Sequence, residues 1–438
     1  MRFIGLSVTL SNTTNNKISS ILSTTKYFTN MEFYHNMQTV IFYENDYKNV
    51  LTIMNCINIV IAPNKPNGVN FINDNTLMLY VNSPIDALKF AIEKKFNTVF
   101  VYVNNCENWF VENNLFDEFR ISQNSKIQLY DYINKFGKKK RETNTLHSNE
   151  LHSFEYYYFC INDKYNKDLQ RLINDISYEP LIENRTIEKT RNLFNQNLSF
   201  NLRGGVIPLC TVNKRWVRGV FYELMWFLKG RTDLEYLHKY NIHIWDANCE
   251  TPQLGSVVAS NNIGKIYGYQ WRNFGGSGFD QISYIVNLLK TDPNSRRIVL
   301  SSWCPPDIFT DSCLPPCHVL YCFNVNSKGE LMCHLTQRSS DVGVGLPWNI
   351  ASASILINLL AKTCGLVPGS LDITLCNAHI YESHQSILNE QYKLSKTPNY
   401  YPRIIVNNKK NIDEYEYEDI FILDYTPEFS KNTLPMIV

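Results

Sequence analysis

The stretch LPPCHVLYCF, Leu314–Phe323, sets two prolines directly before a Cys–His pair and an apolar run after it. The run from Pro316 to Leu335 reads as strand, so Cys317 stands at a strand's mouth behind a stiff approach. The chain holds 12 cysteines, and a free cysteine is ordinarily a small buried hydrophobe. Its surroundings set this one apart. QRSSD (337–341) gathers an amide, a guanidinium, two hydroxyls and a carboxylate. The loop VGVGLP (342–347) follows, and Asn349 opens a helix whose apolar body is Ala351–Cys364. Arg296 and Arg297 come just after the turn DPNS. Glu223 lies inside the apolar helix WVRGVFYELMWFLKG (216–230), with Val220, Leu224 and Phe227 at helical spacings and Gly230 as its stop.

Each feature alone has a mundane explanation: a solvated arginine pair, a turn, an N-cap, a snorkelling carboxylate. Together they describe an anion site with a nucleophile. Arginines suit a phosphate, an amide suits a planar ring, and a carboxyl inside an apolar helix has a raised pKa suited to proton transfer.

The second half closely resembles the thymidylate synthase family over about residues 165–438. The resemblance rests on motifs in order: FYELMWFL (221–228), IWDAN (244–248), IYGYQWRNFG (266–275), DPNSRRIVLSSW (292–303), LPPCHVL (314–320), LTQRSSDVGVGLPWNIAS (335–352) and NAHIYESHQ (377–385). It implies an α+β fold on a twisted, mainly antiparallel or mixed sheet with helices, dimerising through that sheet. It implies that Cys317 adds to C6 of dUMP, that the enolate attacks the methylene of 5,10-methylenetetrahydrofolate, and that hydride transfer then yields dTMP and dihydrofolate. A free thiol titrates at about 8.5, so a nearby cation must favour its ionisation, and Arg338 is the candidate.

Other roles carry over by position. Arg185, Arg338 and Ser339 would hold the phosphate with Arg296 and Arg297 of the partner subunit, which implies a homodimer with shared sites. Gln337 and Asp341 also fall in the dUMP site. Asn349 would read the uracil edge, since an amide can donate to O4 and accept from N3–H; relatives acting on dCMP carry Asp there. His379 and Tyr381 would bind the 3′-hydroxyl. Glu223 resembles the carboxyl that organises water and moves protons at O4, and Tyr267 the tyrosine placed for proton removal from C5. Ile244, Trp245, Asn248, Asp341, Val344, Gly345 and Trp348 match folate-facing positions. Met436 lies in the terminal PMIV, which resembles the segment that closes over the ligands. No metal is expected. There are departures: RTIEKT (185–190) replaces a glycine-containing loop, a lysine near the folate tail is missing from TVNKRWVR (211–218), and Trp348 stands where Phe is usual.

Residues 1–162 alternate strand and helix, with 163–438 as the synthase-like domain. Phe3–Leu10, Gln38–Tyr43, Ile57–Ala62, Met78–Val81 and Thr98–Val103 read as strands. SPIDALKFAIEKKF reads as a helix capped by Ser83 with Pro84 first. Residues 133–152 read as a polar loop and 155–161 as a closing strand. This is an α/β domain around a largely parallel sheet, and its element order resembles dihydrofolate reductase, which precedes the synthase in bifunctional relatives. The reductase chemistry is missing. ISSILSTTKYF (18–28) has no carboxylate for the pterin, Asn104–Asn105 replaces the diglycine, and Tyr43–Glu44–Asn45–Asp46 occupies the phosphate segment, where carboxylates repel pyrophosphate. The domain is therefore expected to be non-catalytic, without NADPH. Alternatives are a bifunctional enzyme with both activities, or an inactive nucleotide-binding regulator. Intact Cys317, Glu223 and Asn349 speak against the regulator.

The whole-chain composition agrees. Of 438 residues 44% are hydrophobic and 19% charged, with net charge +1, so no global field favours nucleic acid or an anionic membrane. GKKKR (137–141) is brief, and no run approaches the roughly 18 apolar residues of a membrane span. The N-terminal MRFIGLSVTL reads as a first strand rather than a signal peptide. Scattered cysteines suggest free thiols in a reducing compartment, hence the cytoplasm. A metal-binding role for Cys304, Cys313, Cys317, His318, Cys322 and Cys333 matches no common zinc spacing.

Overall fold

In the computed structural model the chain divides into two units, Met1–Asn162 and Asp163–Val438. The structure describes residues 2–7, 38–43, 56–63, 68–73, 76–94, 98–102, 118–122, 139–147, 150–158, 165–184, 186–250, 258, 261–394, 402–423, 425, 427–428, 434–435 and 437. Residues 18–28, 44–46 and 104–105, on which the missing reductase chemistry was read, lie outside them, as do Arg185 and Met436.

The first unit carries β1 (Arg2–Ser7), β2 (Gln38–Tyr43), β3 (Cys56–Ile61), β4 (Gly68–Asn73), β5 (Thr76–Val81), β6 (Thr98–Tyr102), β7 (Glu118–Ser122), β8 (Lys139–His147) and β9 (Glu150–Tyr158). They form one sheet in the order β4-β5-β3-β2-β6-β1-β7-β9-β8. From β5 to β7 every pairing is parallel. The outer pairings, β4 with β5, β7 with β9 and β8 with β9, are antiparallel. Central β3 buries Ile57, Ile59, Val60 and Ile61 in succession, as a parallel strand covered on both faces requires. Ser83 caps α1 (Pro84–Glu93) by accepting from the Asp86 N–H at 3.2 Å. The polar segment expected as a loop instead supplies β8, which pairs with β9 as a hairpin. KKRETNTLH is almost wholly polar and forms the last strand of the sheet, so its sequence shows no apolar alternation that would mark it as a strand.

The second unit holds β10 (Thr190–Asn201), β11 (Val299–Ser301), β12 (His318–Val325), β13 (Glu330–Gln337), β14 (Ser340–Asp341) and β15 (Val367–Tyr381). The order is β10-β15-β13-β12-β11, with β14 beside β15. The sheet is mixed: β15 runs parallel to β13 and β14, and the other pairs are antiparallel. The strand expected over 316–335 is a hairpin, broken where Gly329 takes φ 71°. A short antiparallel pair, β16 (Arg403–Val406) and β17 (Ile420–Leu423), follows.

Its helices include α2 (Tyr165–Ser177), α3 (Val217–Leu228), α4 (Asp246–Glu250), α5 (Gly268–Arg272), α6 (Gln281–Thr291), α7 (Gly345–Cys364) and α8 (Glu382–Leu394). α3 is buried from Gly219 to Leu228 and packs against α7. α7 is the crossover that parallel strands need. It begins at Gly345, earlier than the expected Ala351, and stops at Gly365, whose φ of 70° gives the left-handed cap. Asn349 is therefore inside the helix and not its cap. Among the described residues no helix is long and apolar enough to cross a membrane.

Candidate active site

Cys317 stands one residue before β12, half-buried on the wall of a cavity of about 410 Å³. Its backbone N–H donates to the Tyr267 hydroxyl at 2.7 Å, and its carbonyl accepts from the Arg338 N–H at 3.0 Å. Arg338 then folds back. Its Nε donates to the Pro316 carbonyl at 3.0 Å and its Nη2 to the Pro315 carbonyl at 2.6 Å. The paired prolines thus serve as acceptors that fix the guanidinium against the backbone leading into Cys317, while Arg338 itself is absent from the described lining of the cavity.

Tyr267 adopts φ 41° and ψ −103°, a left-handed conformation a bulky residue takes only when its surroundings enforce it, at about 1–3 kcal/mol. Its ring stacks on Phe227 at 4.7 Å. The next residue, Gly268, lies so close to α3 that a Cβ would meet the Phe227 carbonyl at 2.6 Å. Burial, and then the neighbouring Cys317 thiol, push the Tyr267 hydroxyl well above its usual range. It stays protonated. Since its oxygen accepts from Cys317, its own proton is available elsewhere.

Glu223 is buried in α3. Its Oε1 accepts from Trp245 Nε1 at 2.8 Å and its Oε2 from Trp348 Nε1 at 2.6 Å. Burial raises its carboxyl to about 7, with the Trp348 and Trp245 bonds pulling the other way. A carboxyl near neutrality can both give and take a proton. His318 is buried too. Desolvation pushes it down to about 4, against the pull of Asn349, so it is neutral. Gln337, also fully buried, donates from Nε2 to Asn349 Oδ1 at 2.8 Å. It stands behind Asn349 and sets its amide, rather than lining the cavity itself.

Most of the expected residues share this cavity. Ser339, Asp341, Asn349 and His379 line it with Cys317, Glu223 and Tyr267, and so do Ile244, Trp245, Asn248, Val344, Gly345 and Trp348. Asp341 Oδ1 accepts from the Gly343 N–H at 2.9 Å and pins the loop into α7. Tyr381 is buried behind His379, ring edge to face at 5.4 Å. Arg296 and Arg297 are exposed in the turn before β11 and are absent from the described lining.

Lys214, Arg215, Trp216, Leu314 and Ile437 also line the cavity, and the family resemblance gives them no role. Arg215 is buried and its Nη2 donates to the Gly343 carbonyl at 3.0 Å. The available signal was two cations and a tryptophan directly before the helix that carries Glu223. Outside the cavity, His238, His243 and Asp246 bring ligand-type atoms within 4.8 Å of one another. Both imidazoles contact the Asp246 carboxylate at 2.8 Å.

A thiol on a cavity wall that also carries a buried carboxyl and a protonated tyrosine is an arrangement suited to covalent nucleophilic catalysis. A family model for thymidylate synthase matches residues 163–438. A thymidylate synthase of Ascaris suum is 37% identical over 294 residues, covering 64% of this chain and 98% of that protein. One of human herpesvirus 8 type P (isolate GK18) is 42% identical over 259 residues, covering 56% of this chain and 75% of the relative. A bifunctional dihydrofolate reductase-thymidylate synthase of Leishmania major is 37% identical over 316 residues, 68% of this chain and 59% of the relative. The chain spans little more than half the length of the bifunctional relatives it matches. The chain belongs to the thymidylate synthase family, a family of methyltransferases.

Proposed function

We propose that the chain catalyses the reductive methylation of dUMP to dTMP with 5,10-methylenetetrahydrofolate as co-substrate. The observation that carries this is the convergence of Cys317, Glu223, Tyr267 and Asn349 on one cavity. The Cys317 thiolate adds to C6 and moves ring electrons toward O4, where Glu223 organises water. C5 then bonds the folate methylene as the methylene's bond to one of its two folate nitrogens opens. Tyr267, held neutral, orients the water that takes the C5 proton as the folate amine departs. Hydride from the reduced folate completes the methyl group while C6 expels the thiolate, leaving dTMP and dihydrofolate. Arg338 and Ser339, with Arg185, hold the phosphate. Arg296 and Arg297 of the partner subunit complete it, and their exposure in this chain accords with that role. His379 and Tyr381 take the 3′-hydroxyl. Ile244, Trp245, Asn248, Asp341, Val344, Gly345, Trp348 and Met436 face the folate. A homodimer through the sheet would also cover Phe194, 77% exposed on β10. Purified chain given dUMP and methylenetetrahydrofolate should produce dihydrofolate absorbance; no dUMP-dependent signal would end this reading.

Asn349 gives a test of ring choice. Asn349→Asp should shift preference from dUMP toward dCMP, because a carboxylate cannot donate to O4 yet can accept from the cytosine amine. One lost hydrogen bond in a closed site costs about 1–3 kcal/mol. Unchanged discrimination between the nucleotides would mean that another residue reads the ring.

For residues 1–162 the reading is a dihydrofolate reductase-like domain without catalysis. Its support is the parallel sheet closed by an antiparallel hairpin, together with the absent pterin carboxylate and diglycine. The chain should neither oxidise NADPH with dihydrofolate nor bind NADPH tightly. NADPH oxidation above a no-enzyme blank, lost on deleting this domain, would make the protein bifunctional. The nine cysteines of the second unit are free thiols, which supports a cytoplasmic setting.

A further inference from the structure

Glu223 is gripped from two directions by donors that belong to different elements. Trp245 comes from the segment leading into α4, and Trp348 from the first turn of α7. The Trp348 ring has room because position 219 carries no side chain. A Cβ there would lie 2.9 Å from Trp348 Cη2 and 2.7 Å from Trp216 Cε3. A phenylalanine at 348 would fill the same wall and present no donor. We infer that Trp348 is a positioning residue, whose indole N–H, with that of Trp245, holds the Glu223 carboxylate in one plane facing the cavity. The inference rests on Glu223 being the proton-handling group proposed above.

With one lone pair of each oxygen filled by an N–H, a proton reaches Glu223 only on the remaining lone pairs. The donors also set when it binds. An N–H aimed at a carboxylate oxygen stabilises the charged form and does nothing comparable for the protonated one. Burial alone would carry this carboxyl higher, and the two indoles restrain it to about 7. Removing one donor must therefore raise it further, so that Glu223 stays protonated to higher pH.

The test is Trp348→Phe, in the ligand-free full-length chain. The infrared carbonyl band of the protonated buried carboxyl is titrated against pH, and Glu223→Gln identifies the band by its loss. The midpoint should rise by about one pH unit, and the matching limb of the kcat profile should move with it. The infrared titration needs no turnover. A chain without synthase activity would sink the proposed reaction, while the band would still decide the clamp. Gly219→Ala provides a second variant, since its methyl would lie 2.9 Å from Trp348 Cη2 and crowd the indole that donates to Glu223, and an upward shift is expected there too. A wild-type midpoint in Trp348→Phe, folded by circular dichroism, overturns the inference.

Discussion

Cys317→Ser is expected to lose dTMP formation by at least about a thousandfold while still binding dUMP. A serine hydroxyl in the same place would have to ionise far above neutral pH, and no group among the described lining residues supplies that shift. The prolyl carbonyls that orient Arg338 are backbone and survive the substitution, as does the Tyr267 bond to the residue 317 N–H. The variant therefore isolates the nucleophile from the architecture around it. 5-Fluoro-dUMP with the folate should give a covalent adduct, seen as a mass increase, in the native chain alone. Ordinary turnover by the serine variant would remove Cys317 from the chemistry.

The second large effect is a gain. Cys317→Ser and Arg297→Ala chains, each nearly inactive, should recover activity when mixed and allowed to exchange subunits. In a heterodimer one site combines both defects. The other has an intact thiol and an intact arginine from across the interface. Random exchange makes half the dimers mixed, each with one working site of two, so recovery reaches at most about a quarter of native activity. The turn bearing Arg296 and Arg297 is exposed and away from its own chain's cavity, which is what sharing requires. No recovery after exchange is verified by mass would show that each chain completes its own site.

The legible parts of this fold were those in which local chemistry and burial agree. α3 and the body of α7 are apolar runs closed by glycine, and Glu223 stood out as the carboxyl inside one of them. Cys317 was singled out by its polar surroundings and by the family motif LPPCHVL, not by its prolines alone. β8 was not legible, because KKRETNTLH carries no apolar alternation to read. The early start of α7 was hidden by VGVGLP, which reads as loop; proline is tolerated in a first helical turn, so Pro347 did not stop it. The support of Asn349 by Gln337 and the burial of Arg215 and His318 depend on side chains meeting across elements. No spacing in the sequence encodes those meetings.

The parallel pairing of β13 with β15 has a temporal consequence. Those strands are separated in sequence by the whole of α7, and the cavity also draws on Lys214 and Ile437, which are far apart along the chain. Ordering such distant segments is entropically expensive before their contacts repay it. During refolding, helical signal should thus return well ahead of ligand affinity. A ligand of this cavity would then bind only molecules in which those distant segments have already met, and would stabilise them by mass action.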